Sequence, residues 1–162
     1  MSNIQNDQAL RDALLALAPD RQRLLGARFA QSISHLAKDG RVNRAIETAL
    51  RDTASAGELD DAFKTAKGYA TKTYTHCGKD TDWLAQADHF VAAAIAAALA
   101  PEAAPASIPQ AGRAERQNRA WKAAVQARKA VNCAMMESSE QVTEASEVER
   151  QYAIASDFLG LG

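Results

Sequence analysis

Cysteine, proline and aromatic side chains are all scarce in this chain, and each scarcity removes a class of protein. The two cysteines, Cys77 and Cys133, lie far apart and outside any CxxC or zinc-ligand spacing. They read as small apolar thiols in a reduced core, with a single disulfide as the alternative. Aromatic residues make up 6% of the chain, too few to interleave a nucleic-acid surface. The formal net charge is -1, so the molecule as a whole exerts no pull on nucleic acid or anionic lipid. There is no Gly-rich phosphate loop, and no run of β-branched residues alternates with polar ones, so no sheet is expected. The most apolar run, Phe90 to Ala100, is about half as long as a bilayer crossing requires. No basic and then apolar leader opens the chain. The expected location is the cytoplasm, with no membrane partner.

What fills the sequence instead is alanine, at more than a fifth of all residues. It recurs with helical spacing, and small side chains on a buried face let helix axes approach to the near end of the usual spacing of about 8–10 Å. We therefore expect an all-α fold: one compact bundle of six to seven helices spanning residues 1–162, without a sheet. The first helix is expected from about Gln5 to Ala18, stopped by Pro19. The second starts near Asp20 and places Leu25, Phe29, Ile33 and Leu36 on one face before Gly40. The third carries Val42, Ala45, Ile46, Ala49 and Leu50 and ends at Gly57. The fourth runs from Leu59 to Cys77 and ends at Gly78. In this reading each glycine is a left-handed helix terminator.

Asp80 or Thr81 caps the fifth helix, which holds Trp83, Leu84, Ala87, Val91, Ala94, Ile95 and Leu99 on its buried side and is the expected central element. Three of the four prolines fall between 101 and 112, which must be a loop. A sixth helix follows from about Arg113 to Glu137. Ser138 and Gln141 then make a capping box for the seventh, which ends near Leu159. Trp83 and Trp121 are expected to anchor the core, and Met135 and Met136 to fill it.

Candidate chemistry is sparse. His76, Cys77, Asp80, Asp82, Asp88 and His89 gather around the turn between the fourth and fifth helices. Neighbours such as Asp88 and His89 point about 100° apart on a helix, so they do not face one metal, and zinc-binding helices carry histidines at i, i+4. Asp80 and Asp82 are explained as caps with favourable charge at a helix N-terminus, and the histidines as surface residues. A second pattern, Arg28 followed by His35 on one helix side, resembles the motif of the HEPN helical ribonucleases, although Phe29 stands where that family prefers a polar residue. No cofactor or metal is expected.

Basic residues cluster in the second and third helices (Arg21, Arg23, Arg28, Lys38, Arg41, Arg44, Arg51) and in the sixth (Arg113, Arg116, Arg119, Lys122, Arg128, Lys129). Such stripes suit phosphate neutralisation. The acidic stripe Glu140, Glu144 and Glu147 on the last helix offers partial internal neutralisation; a solvated face is the first explanation of the rest, with a charged partner protein or nucleic acid as the alternatives.

The order of these elements resembles the Ala-rich, all-helical immunity proteins of bacterial polymorphic-toxin systems. The resemblance runs from about Arg21 to Leu159. It rests on the opening helix Arg23-Leu-Leu-Gly-Ala-Arg-Phe-Ala-Gln-Ser-Ile-Ser-His35, then Arg44-Ala-Ile-Glu-Thr-Ala-Leu50, then the Gly-Glu-Leu turn at Gly57. Two Ala-rich helices follow, Ala87 to Leu99 and Ala120 to Ala134, and then Glu149-Arg-Gln-Tyr before Phe158-Leu159. The Pro-rich loop and sparse aromatics depart from the pattern. The resemblance implies a cytoplasmic protein that is not an enzyme and that binds and neutralises a cognate toxin by stoichiometric occlusion. The contact surface expected from charge density is Arg41 and Arg44 with Asp80, Asp82 and Asp88. The alternatives are a helical nuclease using Arg28 and His35, or a structural, phage-type assembly protein.

Overall fold

A methyl group is often all that separates neighbouring backbones in this chain, and that sets how its helices meet. The computed structural model describes residues 2–74, 81–101, 117–137 and 144–161. Among the described residues there are seven α-helices: α1 Asp7–Leu15, α2 Pro19–Ser32, α3 Gly40–Leu50, α4 Ala56–Thr73, α5 Trp83–Leu99, α6 Arg119–Glu137 and α7 Glu144–Phe158. A 3-10 turn, Ser34–Leu36, follows α2, and no described residue is in a strand. The fold is an all-α bundle. The loop expected over 101–112 lies outside the described residues beyond Pro101, and so do Gly78, Ser138 and Gln141.

Polar side chains, more than glycines, set the helix boundaries. Asn6, Asp39 and Asp82 accept backbone N–H groups at the starts of α1, α3 and α5. Ser55 and Glu58 form a reciprocal capping box at α4. Asn118 serves two helices at once: its amide donates to the Leu14 carbonyl at 2.9 Å, and its oxygen accepts from Trp121 N–H at 3.0 Å. Glycine as a universal terminator is thus corrected, since Gly40 opens α3 behind its Asp39 cap and Gly57 sits in the first turn of α4. Likewise α2 ends at Ser32, well before Gly40, and Pro19 is its first residue. Only Gly160 adopts a left-handed conformation (φ 69) among the described residues. There the Leu161 and Gly160 amides close back on the Ser156 and Asp157 carbonyls at 2.8 and 3.1 Å, which is the Schellman arrangement.

α5 is the central element and packs on α2, α3, α4 and α6. Its Ala87, Val91, Ala92, Ala94, Ile95 and Ala98 are completely buried. A second apolar cluster, with Leu10, Leu14, Leu25 and Phe29, joins α1, α2 and α6 to the last helix. Four expected core residues sit further out: Leu84 and Met136 are exposed, and Trp83 and Trp121 are half-buried. Arg23, counted with the basic stripe, is buried and donates to the Ala49 and Arg51 carbonyls at 2.7 and 3.3 Å, where a cation suits the C-terminal end of α3.

The last helix docks through buried polar atoms as well as through Ala155 and its apolar neighbours. Glu147 and Gln151 are both 0% exposed, so Glu147 is not part of an outward acidic stripe; Glu140 lies outside the described residues. Gln151 donates to the Ala124 carbonyl at 2.9 Å and accepts from Arg128 at 2.8 Å. Arg128 also holds Asp7 through two bonds of 2.8 and 3.0 Å. Glu147 faces Arg150 at 3.2 Å, yet its Oε2 accepts no hydrogen bond.

Among the described glycines, the tightest approach is at Gly26 of α2. A Cβ there would lie 2.9 Å from Ala98 Cβ and 3.3 Å from Ala123 Cβ. These are atoms fixed to other helices, so overpacking of about 1–3 kcal/mol outweighs the gain of about 1 kcal/mol in helix propensity. Gly26→Ala is expected to lower stability in urea titrations and to lower Tm by a few degrees, with Ala98→Gly in the same chain restoring most of the loss. A stabilised Gly26→Ala protein would contradict this packing.

Burial pushes the Glu147 carboxyl above its ordinary range, against the pull of Arg150 and Arg128. A group raised in the folded state contributes fully below its unfolded pKa, and that contribution is lost as pH rises through the folded value. Asp7 behaves oppositely: its hydrogen bond from Arg128 lowers its pKa, and its contribution is lost as pH falls through the lowered value. Glu147→Gln is therefore expected to remove the fall in stability that sets in as pH rises above the ordinary carboxyl value of 4.5. Denaturant titrations across pH check this.

Candidate functional site

The α3–α4 face begins at the cap of α3. Asp39 accepts the Arg41 backbone N–H at 2.8 Å, and the Arg41 guanidinium returns to the same carboxylate at 2.8 and 3.1 Å. That hydrogen bonding holds the Asp39 carboxyl down at about 2. Arg41 also lies over the Tyr69 ring of α4, 5.8 Å from its centroid. One turn on, Arg44 is exposed on the same side, and Arg51 reaches Glu58 at 2.7 Å across the α3–α4 connection. A groove of about 440 Å³ between the two helices is lined by Arg41, Arg44, Thr48, Arg51, Glu58 and Asp61. Exposed ion pairs of this kind add little to stability, about 0–1 kcal/mol each. Their consequence is geometric, because they hold guanidiniums and carboxylates in one arrangement before any partner is present.

Asp88 underlies this face without belonging to it. It is 4% exposed, accepts the Tyr69 hydroxyl at 2.6 Å and the Lys38 backbone N–H at 2.7 Å. We therefore correct its expected place on a contact surface: a carboxylate with both oxygens occupied inside the bundle fixes Tyr69 and the entry to α3, on which Arg41 rests. Asp82 is exposed at the α5 cap, where it accepts Ala85 N–H at 3.0 Å. Asp80, His76 and Cys77 lie outside the described residues.

His89, expected at the surface, is buried. Its Nδ1 shares a hydrogen bond with the Thr73 hydroxyl at 3.0 Å, and its ring meets Tyr74 and Phe90 edge-on at 5.9 and 5.0 Å. Burial lowers its pKa below the ordinary value. Cys133 is buried too. Among the described residues no three of His, Cys, Asp and Glu gather as metal ligands would.

Arg28 and His35 do not share a helix side, because α2 ends at Ser32 and His35 lies on the separate 3-10 turn. Arg28 turns instead to Asp157 at 3.4 Å and, with Arg21, stacks over Phe158 at 5.2 and 4.1 Å. The cleft of about 670 Å³ that Arg28 lines does not include His35. The basic stripe of α6 disperses similarly. Arg128 is turned inward, Lys129 lies 5.7 Å from the Phe90 ring, and Arg113 and Arg116 are outside the described residues.

Two contributors to the α3–α4 face, Asp39 and Tyr69, were not among the candidates. An Asp directly before Gly40-Arg41 is a readable N-cap signal, masked when the glycine is taken as a stop. Tyr69 carries no local signal, since its partner is on another helix. No family model, no curated protein and no solved structure matches the chain.

Burial and the hydrogen bond to Asp88 push the Tyr69 hydroxyl up to about 12. The pairing thus stabilises the fold fully below the ordinary value of 10.0, and that contribution is lost as pH rises through about 12. Tyrosinate absorbance is expected to show one residue ionising near that value, a step missing in Tyr69→Phe. Asp88→Asn is expected to bring the step down and to cost about 1.5–3 kcal/mol in urea titrations. A Tyr69 that titrates like an exposed tyrosine would refute the pairing.

Proposed function

We propose that this chain is an immunity-type protein that binds a cognate protein toxin and neutralises it by stoichiometric occlusion in the cytoplasm. The observation that supports this reading best is the pre-ordered charged face of α3 and α4, with Arg41 clamped by Asp39 against Tyr69 and Arg51 held by Glu58. Immobilising a long side chain at an interface costs about 0.5–1.5 kcal/mol. A face already ordered avoids part of that cost and steers a charged partner into register. Guanidiniums suit carboxylates bidentately, so Arg41 and Arg44 engage acidic groups of the toxin. Glu58 and Asp61 on the opposite wall take basic ones. Asp82, exposed at the start of α5, is a further acidic contact. No residue is assigned a catalytic role, and no described helix is long and apolar enough to cross a membrane.

Co-expression tests the reading directly. With the toxin encoded beside it, the intact chain is expected to restore growth and to form a one-to-one complex. Arg41→Ala with Arg44→Ala is expected to weaken that complex about tenfold or more, mainly through association rate and salt dependence. Asp82→Asn keeps a capping side chain and removes the charge, which separates contact from helix stability. A folded Arg41→Ala/Arg44→Ala/Asp82→Asn protein with unchanged toxin affinity would remove the proposed surface. Absence of any complex would remove the function.

A further inference from the structure

A cleft of about 670 Å³ between α2, the end of α3 and α7 shares no lining residue with the α3–α4 face. Its size falls within the range of about 300–1,000 Å³ common to small-ligand sites. None of its lining residues adjoins a stretch outside the described residues. Leu24, Leu50, Ile154 and Phe158, drawn from all three elements, are half-buried and give it apolar surface. The polar groups around them are largely free. Arg21 lies over the Phe158 ring, 4.1 Å from its centroid, and has no hydrogen-bond or ion-pair partner among the described residues. Stacking occupies the face of a guanidinium and leaves its in-plane N–H donors to meet a ligand. The Asp52 carboxylate and the Gln31 amide are exposed, and they too have no partner among the described residues. Arg28 and Asp157, also in the lining, already face each other at 3.4 Å.

These free groups select the ligand. A simple anion would answer Arg21 and set like charge beside Asp52, and a simple cation would do the reverse. An uncharged apolar molecule would desolvate both without pairing either. A molecule with both charges, an amide link and hydrocarbon side chains answers every group. We infer that the cleft binds a short apolar peptide with free ends, its carboxylate at Arg21, its ammonium at Asp52 and its peptide link at Gln31. The guanidinium donates to the carboxylate in a bidentate pair, and the ammonium donates to the Asp52 carboxylate. Leu24, Leu50 and Ile154 cover the side chains of the peptide, which supplies the apolar part of the attraction. A single amino acid would leave the Gln31 amide unanswered. This site goes beyond the toxin-binding reading and does not depend on it, since it contains neither Arg41 nor Arg44.

The test follows the backbone amide signals of the isotope-labelled intact chain by NMR as the dipeptide Leu-Leu is added. Saturable shifts are expected in α2 and α7 around Arg21 and Phe158. N-acetyl-Leu-Leu lacks the ammonium and Leu-Leu amide lacks the carboxylate. Each is expected to bind about tenfold or more weakly, as the loss of a hydrogen bond between charged groups predicts. Two variants assign the ends of the ligand. Asp52→Asn is expected to bind Leu-Leu and its acetylated form alike, and Arg21→Gln to bind Leu-Leu and its amide alike. Both residues are exposed, so neither change threatens the fold. Arg41→Ala/Arg44→Ala is expected to leave dipeptide binding unchanged, so failure of this site and failure of the toxin-binding reading are told apart. Any of four results would overturn the inference: no saturable shift, shifts away from the cleft, capped dipeptides that bind as tightly as the free one, or free leucine that binds as tightly as Leu-Leu.

Discussion

Gly26 sets the distance between α2 and the α5–α6 pair, and much of the architecture follows from that one close approach. With backbone almost touching the methyls of Ala98 and Ala123, three helices share a seam that no larger residue fits. α5 becomes the axis of the bundle, and α3 and α4 are laid against its other side. Because the seam is made of methyls, the helices bring few bulky side chains to hold them in register. Directional polar ties add to the register that the apolar clusters set. Arg23 fastens the end of α3, Asn118 joins α1 to α6, Asp88 lies beneath Tyr69, and Gln151 with Arg128 secures the last helix.

Charged residues consequently divide into two populations. Arg23, Asp88, Glu147 and Arg128 are turned inward and organise the bundle, although on the chain they look the same as their exposed neighbours. Arg41, Arg44, Arg51, Glu58 and Asp61 remain at the surface, several of them clamped in place. The α3–α4 face gains its order from the interior through Asp88 and Tyr69. A hollow between α4, α5 and α6 has a different character, lined by the methyls of Ala93, Ala96 and Ala97 and by Lys67 and Lys122.

Much of the fold was legible because helical periodicity is local: α5 as the central element, and the apolar faces of α2, α3 and α4, follow from spacing alone. Boundaries were less legible where two local signals competed. At Asp39-Gly40 and at Ser55-Ala56-Gly57 a capping side chain prevailed over the adjacent glycine, and both glycines joined the helix that follows. Of the residues expected at a contact surface, Arg41, Arg44 and Asp82 are exposed and Asp88 is not, because its burial depends on Lys38 and Tyr69 on other elements. The pairing of Arg28 with His35 assumed a continuous helix, and the break after Ser32 removed it.

The sequence by itself determined an all-helical molecule with thin, alanine-lined interfaces, because repeat spacing and side-chain size act within a few residues along the chain. Only the tertiary structure decided which charges are interior ties and which are presented outward. That choice depends on which helix lies opposite, and desolvation penalises a buried carboxylate or guanidinium unless a partner from another element meets it.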